Sequence, residues 1–554
     1  MKVKIEDIAA RVIKPDGTIV SLKKEDIFER EVIKSKRIKL LAKSFAVSGL
    51  ETGSILEYQY REVKDYDSLD GQKLEFQRDI PVQRATYYLR PDNPQRLKYY
   101  YYNVPETKFT PSPDVKGLYV ATRTNIPSYK EEPYSPPEDE IKKWTYVTTN
   151  IPLIWAYTYG FYGKFIEQEA KPTKAIERKT AEVIAGAAND DEKLRRIYYF
   201  VQQKIVNVDF NRALTAKQLS SLKVDSLNET LEKSAGQSIH IDFLFASMAS
   251  AAGFEVARVG VSDRRKIFFS PSKYPFRGNL AFSAIAVKLN GEWAYFDPSV
   301  PYLPYKKLRW YNEVTNAIVV DDQAYRWEKP PLTGIDESII KRSGQLALTD
   351  DGTLKGTLRV ELYGHHAAIQ RQEEFYFSEQ RRKENLTNEL KARWNSAEIS
   401  DVWIDNFDDN SKPVTYTFKI SLPNYAQKTG RRILMQPGFF TYASNPMFPS
   451  TVRVNDIYFL FPWSEEDNIS LQLPAGFELE SPDSPPEVYD AQKSGFLKIS
   501  LGVEKTSNVL FYHRKFYFGA NRNIYFPVAS YSFIKTLFDA FYKADTHLVS
   551  LKQK

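Results

Sequence analysis

The chain has 554 residues, 42% of them hydrophobic and 27% charged, a balance that suits a folded globular protein but a length too great for one core, so about three domains are expected. Its 77 basic and 70 acidic residues leave a net charge of +7 with no long basic stripe, which argues against a nucleic-acid partner. It contains no cysteine, which excludes disulfides, zinc–thiolate sites and thiol nucleophiles together.

The 36 Tyr, 34 Phe and 8 Trp favour β-rich architecture, because aromatic side chains suit a pleated surface. No run of about 18 apolar residues is present to span a membrane. Met1 is followed by charged residues rather than an apolar stretch, so no signal peptide is read. The basic runs Lys34-Ser35-Lys36-Arg37 and Gln380-Arg381-Arg382-Lys383 are short and read as solvated surface.

Residues 1 to about 130 read as strands and turns. Ala9-Ala10-Arg11-Val12-Ile13 leads into the turn Pro15-Asp16-Gly17, and residues 53–60 alternate with the period of a half-buried strand. The tract Pro133-Tyr134-Ser135-Pro136-Pro137-Glu138-Asp139-Glu140 supports neither ladder nor helix and reads as an exposed linker. From about 145 to 255 the pattern is helical. Leu194, Ile197, Val201 and Ile205 recur at helical spacing behind the start signal Asn189-Asp190-Asp191-Glu192. A further helix around Leu227 and Leu231 closes before Gly236. The next, over 240–252, carries Leu244, Phe245, Met248 and Ala252 and stops at Gly253. Strands are expected over 256–261, 282–289 and 293–297, the last two joined by the hairpin turn Asn290-Gly291. Beyond 335 the pattern returns to β, with a polar helix over 378–394 and a closing amphipathic helix through Tyr531, Ile534, Phe538 and Phe541.

The stretch Gly236-Gln237-Ser238-Ile239-His240-Ile241-Asp242 opens an apolar helix, and Asp297-Pro298-Ser299 follows a strand. Together these resemble the transglutaminase-like superfamily. There a Gly-x-Cys-x-Asp segment opens a helix whose positive end stabilises a thiolate, and a strand pair supplies the His and Asp for base catalysis. Aligning Asp242 with the motif's Asp puts His240 where the Cys belongs, and counting back from the hairpin puts Phe282 where the His belongs. Only Asp297 keeps its type, with Gly236 and Asp242 as supporting motif residues, so the resemblance implies a degenerate triad with no catalytic residue, metal or cofactor. It implies the fold as well: multidomain α+β, with an N-terminal β-sandwich of unknown function over 1–140, a transglutaminase-like (papain-like) core over 141–335, and a C-terminal β domain with a closing helix over 336–554. Proteins of this kind are bacterial and exported, which implies a periplasmic or envelope location and further sequence, with an export signal, before the Ala-Arg segment.

Weaker candidates are read as structural. His365-His366 after Gly364 lacks a third ligand at metal spacing and reads as surface. Asp405-Asn406-Phe407-Asp408-Asp409-Asn410 lacks the Gly and Glu of a calcium loop and reads as a solvated turn. Ser238 has no Gly-x-Ser-x-Gly elbow, and His240 stands only two residues away. The expected role is binding or scaffolding of a peptide, protein or cell-envelope polymer. One rival is a hydrolase or metal-assisted enzyme centred on His240, Asp242 and Asp297, and another is carbohydrate binding by the β domains. At the site, Phe282 is expected between His240 and Asp297, Asp297 is expected to receive amides from the turn after Pro298, and His240 is expected to be neutral at a positive helix start.

Overall fold

The structure, a computed structural model, describes residues 3–34, 39–64, 71–91, 93–105, 108–148, 154–211, 214–274 and 277–554. Residues 35–37 of the first basic run lie outside these. The chain is a multidomain α+β protein.

In the middle domain Asn290 and Gly291 take φ of 53° and 86°, the left-handed backbone that a two-residue hairpin turn requires. The strands they join, Ala281–Leu289 and Glu292–Phe296, form one edge of a five-stranded antiparallel sheet. Val256–Val261, Ala317–Val320 and Tyr325–Glu328 continue it in that order. Helix Ser238–Ala251, buried from Ile241 through Ala249, lies on this sheet. Helix Asp190–Lys204 packs beside it through Leu194, Ile197, Tyr198 and Val201, which share a core with Ile285, Val287 and Phe296 of the sheet. Burying both elements against one another gives the helix its fixed aim at the hairpin.

The N-terminal region consists of small antiparallel sheets, among them Ile19–Ser21, Val3–Ile13 and Ile55–Lys64. Another sets Trp144–Thr148 between Gln72–Glu75 and Lys98–Tyr102, so the first sheet system reaches past the boundary expected at 140. The Pro-rich tract before it is not the exposed linker the sequence suggests. Pro136 and Pro137 are buried, the Tyr134 carbonyl accepts from the Tyr458 amide at 2.7 Å, and Glu132 accepts from the amides of Val454 and Asn455. A tract with no ladder of its own has its polar groups satisfied by a distant segment instead. Limited proteolysis of the native chain should therefore leave residues 133–140 intact; early cutting there would mean that this clasp opens in solution.

The C-terminal domain is built on an eight-stranded sheet in which Ile339–Leu348 and Trp463–Gln472 run parallel at the centre. Helix Tyr531–Asp545 buries Ile534, Phe538 and Phe541 against it.

Two features expected at the surface are buried where the middle and C-terminal domains meet. His365 and His366 open helix Gly364–Glu374 rather than sitting in a surface turn. Gly364 has a φ of +56°, and a Cβ there would fall 2.1 Å from the Glu337 carbonyl, so only glycine lets the chain enter this way. His365 Nε2 lies 2.9 Å from Glu313 Oε1 of the middle domain, and both imidazoles pack on Phe461. The expected solvated turn at 405–410 is wrapped around buried Arg371, which donates to the carbonyls of Asn406, Phe407, Asp409 and Lys412. Asn410 then crosses to the middle domain, donating to Gln202 Oε1 and the Pro301 carbonyl, each at 2.7 Å.

Burial pushes the His366 pKa down from 6.5 to about 4, and its Nε2 has no hydrogen-bond partner among the described residues. The charged and titratable groups acting on it are Glu465, His365 and Arg342. A base with a depressed folded pKa contributes stability that is present above 6.5 and lost as the pH falls towards 4. Between pH 7 and 4.5 this group should cost the fold about 2–3 kcal/mol. Urea titrations at the two pH values should show that His366→Leu removes this share of the acid loss, and an identical loss in the variant would assign it elsewhere.

Candidate functional site

The Ser238 helix starts with Gln237 as its cap: His240 Nδ1 accepts from the Gln237 amide at 3.2 Å in a reciprocal capping box. One turn separates Ser238 from Asp242, so these two share a face, whereas His240 lies roughly 200° round the helix from Asp242. The Ser238–Asp242 face meets the residues after the hairpin. Asn207 Nδ2 donates to Ser238 Oγ at 3.1 Å and to the Ser299 carbonyl at 2.7 Å. The Ser299 amide donates to Asp242 Oδ1 at 3.1 Å.

His240 does not join this group. Asp209 and Asp225 are the carboxylates whose charge reaches it, and burial holds its pKa below the usual value. Counting from Gly236 rather than from Asp242 places Ser238 at the nucleophile position of the Gly-x-Cys segment. In the structure Ser238 is the first helical residue and is tied through Asn207 to the Asp297-Pro298-Ser299 turn. The Ser238 amide, the helix-start donor nearest such a nucleophile, is taken by Asp209 Oδ2 at 2.9 Å.

Phe282 also lies elsewhere than expected. Its ring stacks on Tyr162 with centroids 4.1 Å apart and lies near the Arg258 guanidinium. It fills the space over Gly260, where a Cβ would come within 2.8 Å of it. A ring with no hydrogen bond to make gains more from this aromatic cluster than from a gap between polar groups.

Asp297 is 1% exposed, and its partner is Arg309 rather than a backbone amide: Nη2 lies 2.7 Å from Oδ2 as an ion pair, without the alignment of a hydrogen bond. The same guanidinium reaches Ser283 Oγ at 3.3 Å. Asp242, 5% exposed, is held well above the usual carboxyl range by burial and then by the charge of Asp297. Burial raises Asp297 too, against the opposing pull of Arg309. One guanidinium cannot neutralise two buried carboxylates, and it lies on Asp297, so the pair favours the charge on Asp297 and the proton on Asp242. Arg309 was not found from the sequence. The signal was there, a lone Arg between the apolar Leu308 and Trp310, which if buried must have a partner.

A cavity of about 400 Å³ opens at the helix start. Asn207, Ile241, Pro298 and Ser299 form its floor, and Phe210 and Phe375 its sides. Among the described residues no group of three or more His, Asp or Glu side chains is placed to hold a metal ion. No helix among them is long and apolar enough to cross a membrane.

Residues 3–130 match a family model described as a domain of unknown function with a solved structure, DUF3857. A crystal structure described as a "putative protease" from Parabacteroides distasonis ATCC 8503 superposes with a TM-score of 0.55 at 15% identity, over 100% of this chain and 91% of that one. The overall α+β fold is shared with that protein. A "putative cysteine protease" from Cytophaga hutchinsonii overlaps 41% of this chain and 74% of its own at 10% identity, with a TM-score of 0.17. No curated protein matches the chain. At 15% identity the likeness to the Parabacteroides structure extends to the fold alone.

Proposed function

We propose that this protein binds its ligand without cleaving it. It uses a transglutaminase-like fold whose catalytic positions are degenerate to hold a peptide, protein or cell-envelope polymer. A periplasmic or envelope setting for this work is part of the proposal, and the resemblance to exported bacterial proteins is what supports it. The observation that carries the reading is the company kept by Asp297, a guanidinium where catalysis needs an imidazole. Arginine stays protonated and cannot take a proton from a nucleophile. Among the described residues Ser238, at the helix start, has no imidazole paired with its hydroxyl, since the acceptor nitrogen of His240 is committed to the Gln237 amide and the nearby Asp209 carboxylate to the Ser238 amide. A hydrolase centred on His240, Asp242 and Asp297 would need His240 on the face that carries Asp242, and the helix turns it away.

The test is turnover. Incubating the full chain with a mixed peptide library and with envelope glycans, followed by mass spectrometry, should return every component unaltered. Products that form with the native chain and vanish in Ser238→Ala would overturn the reading.

A further inference from the structure

We propose that the cavity at the start of the Ser238 helix binds a short neutral saccharide segment. The inference rests on the binding reading above and names its ligand class.

The cavity is a joint product of two domains. Its floor is the helix start and the Pro298-Ser299 turn, while Phe375 and Tyr376 come from the end of helix Gly364–Glu374 in the C-terminal domain. The walls are fixed by polar groups that are already satisfied. Gln202 Nε2 donates to the Val300 and Leu303 carbonyls, and both bonds of Asn207 Nδ2 are directed at Ser238 and Ser299. At about 400 Å³ the space falls at the small end of ligand pockets, which run from about 300 to 1,000 Å³.

Three properties of this wall select the ligand. The first is charge. None of the side chains lining the cavity is ionisable to a full charge near neutral pH, so a phosphate, carboxylate or ammonium placed there would be left without a counter-charge. The carboxylate of Asp209, on the Ser238 amide, further opposes an anion. The second is the main chain. An extended peptide is held by adding to a strand, which needs free backbone donors. Here the amides of Val206 and Val208 are bonded to the Ser234 and Gly236 carbonyls. Those of Asp209 and Ser299 go to Asn207 Oδ1 and Asp242 Oδ1, and that of Val300 goes to the Asp297 carbonyl. Along this part of the wall recognition is thereby left to side chains.

The third is what those side chains offer. Gln203 lines the cavity with an exposed carboxamide that combines donor and acceptor, the same pairing that a sugar hydroxyl presents. Beside it Phe210 and Phe375 meet edge to face at 5.8 Å, and the Tyr376 ring is 41% exposed at the rim. Flat apolar rings next to an uncharged donor–acceptor group match a pyranose, which has an apolar C–H face and a polar edge.

The experiment titrates the full chain with maltotriose, cellotriose and tri-N-acetylglucosamine by calorimetry, and repeats the titration with Tyr376→Ala and Gln203→Ala. Both are exposed positions whose loss leaves the core untouched. At least one sugar should bind saturably, at least tenfold more weakly to Tyr376→Ala, and as tightly as before to a distant exposed-aromatic control, Tyr489→Ala. The proposal is overturned if none of the three saturates below about 10 mM, or if both cavity variants bind as the native chain does. It is equally overturned if a neutral tetrapeptide binds and is weakened by these variants while the sugars do not bind; the binding reading would then stand with a different ligand. If a sugar is recovered shortened, the binding reading itself fails.

Discussion

Replacing Phe538 by alanine should cost the C-terminal domain about 3–5 kcal/mol. The ring is 5% exposed and touches four others: Phe518 at 4.9 Å, Phe541 at 5.4 Å, Phe448 at 5.5 Å and Phe459 at 5.7 Å between centroids. The cost depends on whether the surroundings can collapse into the hole. Here they are pinned. Asp545 at the end of the helix is gripped by Arg514 through Nε at 2.7 Å and Nη2 at 2.9 Å, and the Tyr531 hydroxyl donates to the Ser450 carbonyl near its start. A helix tied at both ends cannot slide to refill the space, so the upper half of the range is expected. Urea denaturation read from the C-terminal transition measures it. A change below about 0.5 kcal/mol would show that the helix contributes little to that core.

Local chemistry made much of the fold legible. Asn290-Gly291 demands positive φ, and Leu194, Ile197 and Val201 can share a buried face only as a helix, so these elements could be read without knowing their neighbours. The sequence suggested that the helix start lies by the Asp297 turn, but not which helix face meets it. Counting from Gly236 or from Asp242 shifts the expected facing residue by two positions, about half a turn. That shift decides whether Ser238 or His240 faces the hairpin, and no local signal separates the two choices. The remaining errors share a cause. The Pro-rich tract, Gly364-His365-His366 and residues 405–410 all carry turn composition, and composition reports only that a segment lacks a ladder of its own. Each is held by a partner more than fifty residues away, namely Tyr458, Glu313 and Gln202. Arg309 is the same case at the site, since a side chain's partner across the fold leaves no trace in spacing.

The buried carboxyl pair yields the sharpest contrast between substitutions of one residue type. Asp297→Asn strips Arg309 of its charge partner and leaves a guanidinium in the core, which should cost about 3–5 kcal/mol. Arg309→Met should cost a similar amount at neutral pH, because Asp297 must then take up a proton or remain an unpaired buried anion. Asp242→Asn should be close to neutral. Asp242 already carries a proton, and the asparagine carbonyl can accept from the Ser299 amide as Oδ1 does now. The pH dependence has the opposite sign to the usual carboxylate case. A carboxyl whose folded pKa is raised contributes stability that is fully present below its unfolded pKa near 3.8 and lost as the pH rises through the folded value. The native chain should therefore lose stability as the pH rises above about 3.8 until Asp242 ionises beside Asp297, and Asp242→Asn should flatten that slope and match or exceed native stability above it. Denaturation of the three variants across pH checks the assignment. Were Asp242→Asn as damaging as Asp297→Asn at neutral pH, the proton would have to reside on Asp297, and Arg309 would then hold Asp242's charge instead.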